Sequence, residues 1–212
     1  MKIRCSAISL IIGDGRTKGN HLSDTAKSYL MTLAKENLYS VQRFAGDKET
    51  AKGKQLEDLA IKASGMKRGR VFTKNTTRLE NDWITGECDI YVPSERLIID
   101  TKCSWDVFTH PQFVDEAQKK AQKAGYIHQM QGYMWLYDCD KADIDFWLFP
   151  CPENLLGAYD RAEVLVDAVE DIPLLKRVTT VTIERDEKAI EKIKEKVEIC
   201  QEYYAILMKQ AA

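Results

Sequence analysis

None of the six cysteines of this chain (Cys5, Cys88, Cys103, Cys139, Cys151, Cys200) stands in a C-x-x-C pair. Neither a zinc ribbon nor an iron–sulfur cluster is therefore indicated. No signal peptide is seen either, so free thiols in a reducing cytosol are expected. Asn75-Thr76-Thr77 then reads as a loop, not as a glycosylation site. No apolar run approaches the ~20 residues that a membrane helix needs, so no membrane partner is expected. Neither G-x-x-x-x-G-K-[ST] nor G-x-G-x-x-G occurs, which leaves a nucleotide-driven motor unsupported. His21, His110 and His128 have no metal-ligand spacing. Neither sign of charge is in excess: 31 Lys and Arg face 33 Asp and Glu, for a net charge of -2. Only a local patch could then bind nucleic acid. Internal repeats, low-complexity tracts and linkers are absent from the sequence.

What is there fits one domain over residues 1–212. Its 44% hydrophobic content is enough for a real core. The stretch from Trp83 to Trp105 organises the rest. Asp89-Ile90-Tyr91-Val92 and Arg96-Leu97-Ile98-Ile99 flank the turn Pro93-Ser94-Glu95, which is a hairpin signal. In such a hairpin Asp89 and Asp100 meet at one end of the sheet. Asp100 and Lys102 are two apart and project from one face. Two carboxylates and the Thr101 carbonyl form a hard-oxygen set of the kind that Mg²⁺ accepts, with Lys102 able to orient water or neutralise charge. The competing reading is a salt bridge at a sheet edge.

Upstream, Ser23 or Asp24 caps a helix carrying Ala26, Tyr29, Leu30, Leu33 and Leu38. A second helix is expected over 50–64, with Leu56, Leu59, Ala60 and Ala63 as its apolar stripe, Glu57 at the stripe's edge and Gly65 as its stop. Residues 71–73 and 77–79 are strand candidates. Downstream, residues 105–114 are irregular. A helix with Lys119, Lys120 and Lys123 stops at Gly125. A further helix over 126–137 puts Gln129 and Tyr133 on one face. Residues 144–149 and 177–183 read as strands and 155–169 as a helix. Asp186 caps a last helix over about 186–210, striped by Ile190, Ile193, Val197, Cys200, Tyr204 and Leu207. This order favours a layered α/β or α+β domain. The three lysines form either a phosphate rim or a solvated face. Trp105, Phe108 and Phe113 either stack on a DNA end or belong to the core.

Taken together, Glu57, Asp89, Asp100-Thr101-Lys102 and Gln129-x-x-x-Tyr133 resemble the PD-(D/E)xK nuclease superfamily. Within it they are similar to the phage recombination exonucleases, the lambda exonuclease, RecE and YqaJ-like group. The match covers about residues 53–137; Asp100 stands where many relatives carry Glu. The resemblance implies a restriction-endonuclease-like α/β fold, a central mixed β-sheet flanked by helices, with its catalytic core at about 53–150. It implies an Mg²⁺-dependent (or Mn²⁺-dependent) DNA exonuclease with two ions per site. Such an enzyme digests one strand of linear double-stranded DNA from its 5′ end for a single-strand annealing partner, and works as a ring-shaped homo-oligomer.

Residue by residue, the resemblance makes Asp89, Asp100, the Thr101 carbonyl and Glu57 the metal ligands. Lys102 positions the attacking water, and Gln129, supported by Tyr133, orients the phosphate or that water. Ser6 lies near a DNA phosphate. Lys119, Lys120, Lys123 and Trp105 are the further candidates for DNA contact. A structure-specific or restriction-type endonuclease of the same fold, a non-catalytic DNA-binding protein with that fold, and an unrelated α/β protein with surface salt bridges are the competing expectations.

Overall fold

The computed structural model describes residues 1–17, 19–43 and 46–211. A first strand, β1 (Ile3–Arg4), runs into a 3₁₀ turn (Cys5–Ala7) and a short helix, α1 (Ile8–Ile11). Ser23 then caps α2 (Asp24–Tyr39) by accepting from the Ala26 N–H, which satisfies one of the free donors at a helix start. Helix α3 (Lys48–Lys67) is longer than the sequence suggests. Gly65 does not stop it. The helix ends at Gly69, whose φ of +64° lets the Gly69 and Arg70 N–H groups turn back onto the Met66 and Gly65 carbonyls. Gly65 is needed for another reason: a Cβ there would lie 2.5 Å from the Arg70 carbonyl oxygen.

Two short strands follow, β2 (Leu79–Glu80) and β3 (Ile84–Gly86). Residues 71–78, in part expected as strand, carry no regular structure. The hairpin is present: β4 (Ile90–Val92) pairs antiparallel with β5 (Leu97–Ser104), Ile90 opposite Ile99. Helices α4 (Val114–Lys123) and α5 (Tyr126–Tyr137) are separated by Gly125 at φ +76°. They make the crossover that a parallel neighbour, β6 (Lys141–Leu148), requires. The expected helix over 155–169 is broken. Gly157 and Asp160 close a turn, and only a π-helical turn (Glu163–Asp167) and α6 (Ala168–Glu170) follow. Strand β7 (Val178–Glu184) leads to α7 (Glu187–Gln210), capped by the Asp186 carboxylate.

The main sheet is mixed, in the order β4-β5-β6-β7, with β5 and β6 parallel and the two outer pairings antiparallel. A small second sheet, β1-β3-β2, was not foreseen. Helices cover both faces of the main sheet. On one face Ile98, Ile144 and Phe146 pack with Met130 and Met134 of α5 and Val197 of α7. On the other, Ala60 and Ala63 of α3 meet Trp147 and Phe149, and Ile61 meets Ile99. Strand β5 is thus apolar on both faces until Asp100, which explains its unbroken Leu97-Ile98-Ile99 run. Leu59, expected in the stripe of α3, is exposed, and the buried face is continued by Lys52 instead.

Candidate active site

The chemistry-bearing residues gather where β4 starts late and β5 runs on. Because β4 begins only at Ile90, the Thr101 N–H has no strand carbonyl to meet. The Asp89 carboxylate takes that place: its Oδ2 accepts from the Thr101 N–H at 2.7 Å and from Thr101 Oγ1 at 2.8 Å. Two donors on one oxygen fix the carboxylate and leave its other oxygen free to act. Thr101 therefore contributes its amide and its hydroxyl, where the sequence pointed only to its carbonyl.

Asp100 lies on the α5 side of the sheet and is 1% exposed. Its Oδ2 meets Lys102 Nζ at 2.5 Å in a buried ion pair. Burial pushes the Asp100 carboxyl up to about 7, opposed by Lys102 and reinforced by Asp89. Burial disfavours the Lys102 ammonium, but the Asp100 and Asp89 carboxylates outweigh it and raise its pKa. Lys102 Nζ also sits 4.8 Å from the centre of the Tyr126 ring, a cation–π arrangement.

Glu57 projects from α3 at the edge of its buried face, as expected, and is ion-paired with Lys74 at 2.6 Å. Glu57, Asp89, Thr101, Lys102, Trp105 and Lys120 line one cleft of about 420 Å³. Asp100 sits behind this wall and does not line it. Among the described residues no three His, Cys, Asp or Glu side chains close around a metal position. The donor set still suits a hard divalent cation that keeps most of its waters: the Asp89 and Asp100 carboxylates and a nearby backbone carbonyl.

Gln129 and Tyr133 share a face of α5 and are bonded to each other, Nε2 donating to the tyrosine oxygen at 3.0 Å. Both are buried, and neither lines the cleft. Burial raises the Tyr133 pKa, with the Asp100 charge adding to it. The ring fits because Gly86 has no side chain; a Cβ there would lie 2.7 Å from Tyr133 Cε1.

The expected DNA-contact residues divide. Lys120 is in the cleft, half-buried, and donates to the Thr109 carbonyl at 2.6 Å; burial lowers its pKa. Lys119 and Lys123 are exposed on α4 and outside the cleft. Ser6 is exposed on the Cys5–Ala7 turn, also outside it. Trp105 is a cleft wall, while Phe108 and Phe113 are exposed and not in the core.

Two contributors were missed. Lys52 is completely buried, and its ammonium donates to the carbonyls of Trp105 and Phe149, each at 2.7 Å. It pins the ends of two parallel strands to α3. Its place four residues before Leu56 and eight before Ala60 was the available signal. His110, 4% exposed, meets Ser104 Oγ through Nδ1 at 3.4 Å and stiffens the loop after Trp105. Burial lowers its pKa to about 4.

Comparison with known proteins agrees with this geometry. No family model and no curated protein matches the chain. Solved structures do. A phage-related exonuclease from Haemophilus somnus 129PT is 55% identical, with all of this chain and 97% of that one covered and a TM-score of 0.96. The chain belongs to this phage-related exonuclease family, in the group that its Glu57, Asp89, Asp100-x-Lys102 and Gln129-x-x-x-Tyr133 pattern resembles. An alkaline exonuclease from Laribacter hongkongensis shares the fold at 17% identity, over 99% of this chain and 91% of that one, with a TM-score of 0.71. That exonuclease has also been solved in complex with dAMP, a structure that aligns with a TM-score of 0.66 at 16% identity over the same shares of the two chains.

Proposed function

We propose that the protein is an Mg²⁺-dependent exonuclease, also served by Mn²⁺, that hydrolyses linear double-stranded DNA from its 5′ ends with two ions per site. The observation that carries this reading is Asp89, locked by both Thr101 donors, beside buried Asp100 and its contact with Lys102, at a cleft walled by Trp105 and Lys120. A bound divalent cation supplies a Lewis acid that polarises a phosphoryl oxygen and acidifies a water. Asp89, Asp100 behind the cleft wall and the Thr101 carbonyl would hold it, with Glu57 as the further candidate ligand. Lys102 orients the attacking water and sets a fixed positive charge against the charge that grows on the phosphate. Gln129, bonded to Tyr133 behind the cleft wall, is by resemblance the candidate for orienting the scissile phosphate or that water. Trp105 offers an apolar face to a base and Lys120 a cation to the backbone. Ser6, Lys119 and Lys123 remain candidates for phosphate contact outside the cleft.

The product is a 3′ single strand for an annealing protein, made in the bacterial host cytosol. Ring assembly of several copies is part of the proposal. Exposed Leu38, Tyr39 and Ile206, near the Asn37–Tyr204 hydrogen bond that joins α2 to α7, support an interface there. Linear duplex labelled at the 5′ or the 3′ end tests the activity, with Mg²⁺ and a covalently closed circle as control. The 5′ label is expected as early mononucleotide, with the circle intact. A cut circle favours the endonuclease, and no hydrolysis of any DNA leaves only a binding protein.

A further inference from the structure

The irregular segment between α3 and β2 touches both outer acids of the site. Asp89 precedes its strand, so no ladder fixes its backbone. Asn75 does this instead. Its N–H donates to the Asp89 carbonyl at 2.8 Å, and its Nδ2 donates to the Cys88 carbonyl and to the Tyr137 hydroxyl, each at 3.0 Å. The Tyr137 hydroxyl in turn donates to the Thr77 carbonyl, which closes the segment on itself. One residue earlier, Lys74 Nζ meets Glu57 Oε2 at 2.6 Å. The dipeptide Lys74-Asn75 thus spans from α3 to the start of β4: the Lys74 side chain meets Glu57, while Asn75 reaches Asp89 through its main-chain N–H and the preceding Cys88 through its side chain. Asn75 orders a ligand through neutral bonds to its backbone. Lys74 occupies a candidate ligand through an ammonium on a 39% exposed side chain.

We propose that Lys74 and Asn75 are a pair of positioning residues with opposite effects on the metal site. Lys74 is a built-in cation that competes with the divalent ion for Glu57, and Asn75 is the brace that preorganises Asp89. The inference rests on the metal-dependent reading above. Its physics is simple. A unit positive charge beside the site lowers affinity for a second cation, and an ion that needs Glu57 must displace it. Loss of an outer brace lowers affinity because the ligand is no longer held in place.

The test is calorimetric titration of the whole protein with Mn²⁺ alone, without DNA. Lys74→Gln should bind about threefold or more tightly than the wild type. Lys74→Arg, which keeps the charge, should stay near the wild-type value. Asn75→Ala keeps the main-chain bond to Asp89 but loses the Nδ2 bonds that hold the segment to Cys88 and Tyr137, and should bind roughly tenfold more weakly. A merely structural role for Lys74 predicts weaker or unchanged binding for both of its variants. Lys74→Gln no tighter than wild type, while wild type binds and Asp89→Asn does not, overturns this inference alone. Failure of the wild type itself to bind Mn²⁺ overturns the metal reading and this inference with it. Thermal melting of each variant reports folding; Lys74 is exposed, so its arm decides the matter if Asn75→Ala does not fold.

Discussion

Replacing Thr101 by Val is the sharpest single perturbation of this site. The two side chains have nearly the same shape, and Val suits a strand at least as well. The change removes one hydroxyl donor, at 2.8 Å from Asp89 Oδ2, and leaves the backbone donor at 2.7 Å in place. A hydrogen bond to a charged group is worth about 1.5–3 kcal/mol. With one of two donors kept, and with water able to reach a half-buried carboxylate, the low end applies. A loss of about 1.4 kcal/mol is one factor of ten. The expected result is a roughly tenfold rise in the Mg²⁺ concentration for half-maximal digestion of linear duplex, or an equal fall in rate at fixed Mg²⁺. Melting temperature should stay within a few degrees. The assay is an Mg²⁺ titration of mononucleotide release at saturating DNA, beside a thermal melt. An unchanged Mg²⁺ dependence in a folded Thr101→Val enzyme would refute the view that the hydroxyl holds Asp89 for catalysis.

Three more outcomes follow from the same contacts. Lys102→Ala should lower the rate by about 10²–10³ or more while filter binding of duplex persists; near-normal digestion would remove Lys102 from the mechanism. Lys52→Met leaves the Trp105 and Phe149 carbonyls without their donor. Urea unfolding should show a loss of about 2 kcal/mol, since relief of the buried charge offsets part of the cost of two orphaned acceptors. His110 gives a pH signature: its folded pKa of about 4 lies below its ordinary value. As pH falls, the unfolded chain takes up the proton first. Stability from the neutral ring is therefore full above about 6.5 and lost down to about 4, by roughly 3 kcal/mol in all. Urea midpoints of wild type and His110→Gln across that window should converge as pH drops.

Much of this architecture was legible because its signals are periodic. Helix α5 spans Tyr126–Tyr137, the expected limits, and the stripe from Ile190 to Cys200 is buried as its three-and-four spacing requires. The hairpin was legible because an apolar run ends abruptly in Asp100-Thr101-Lys102. The parts that were not legible have no period to read. Strands β1 and β2 are two residues long. The stretch 155–169 has helical apolar spacing, but turn chemistry at Gly157 and Asp160 overrides it. Within the site, Glu57, Asp89 and Lys102 line one cleft and Asp100 lies behind its wall. Order along the chain could not show which lysines of α4 face the cleft, because a shift of one residue on a helix turns a side chain by 100°. Lys52 and Asn75 escaped notice because each works by bonding to backbone, and backbone carries no residue code.

Asp89 reaches Thr101 only because Ile90 lies opposite Ile99. Shift the hairpin by one residue and every side chain changes face. The acid would then miss its two donors, and Asp100 and Lys102 would turn toward α3. A misassembled copy is thus left with no working centre. For a DNA exonuclease, catalysis and quality control share one alignment. The chain becomes dangerous only once it has folded correctly, and a half-made or mispaired molecule is harmless to the cell that produces it.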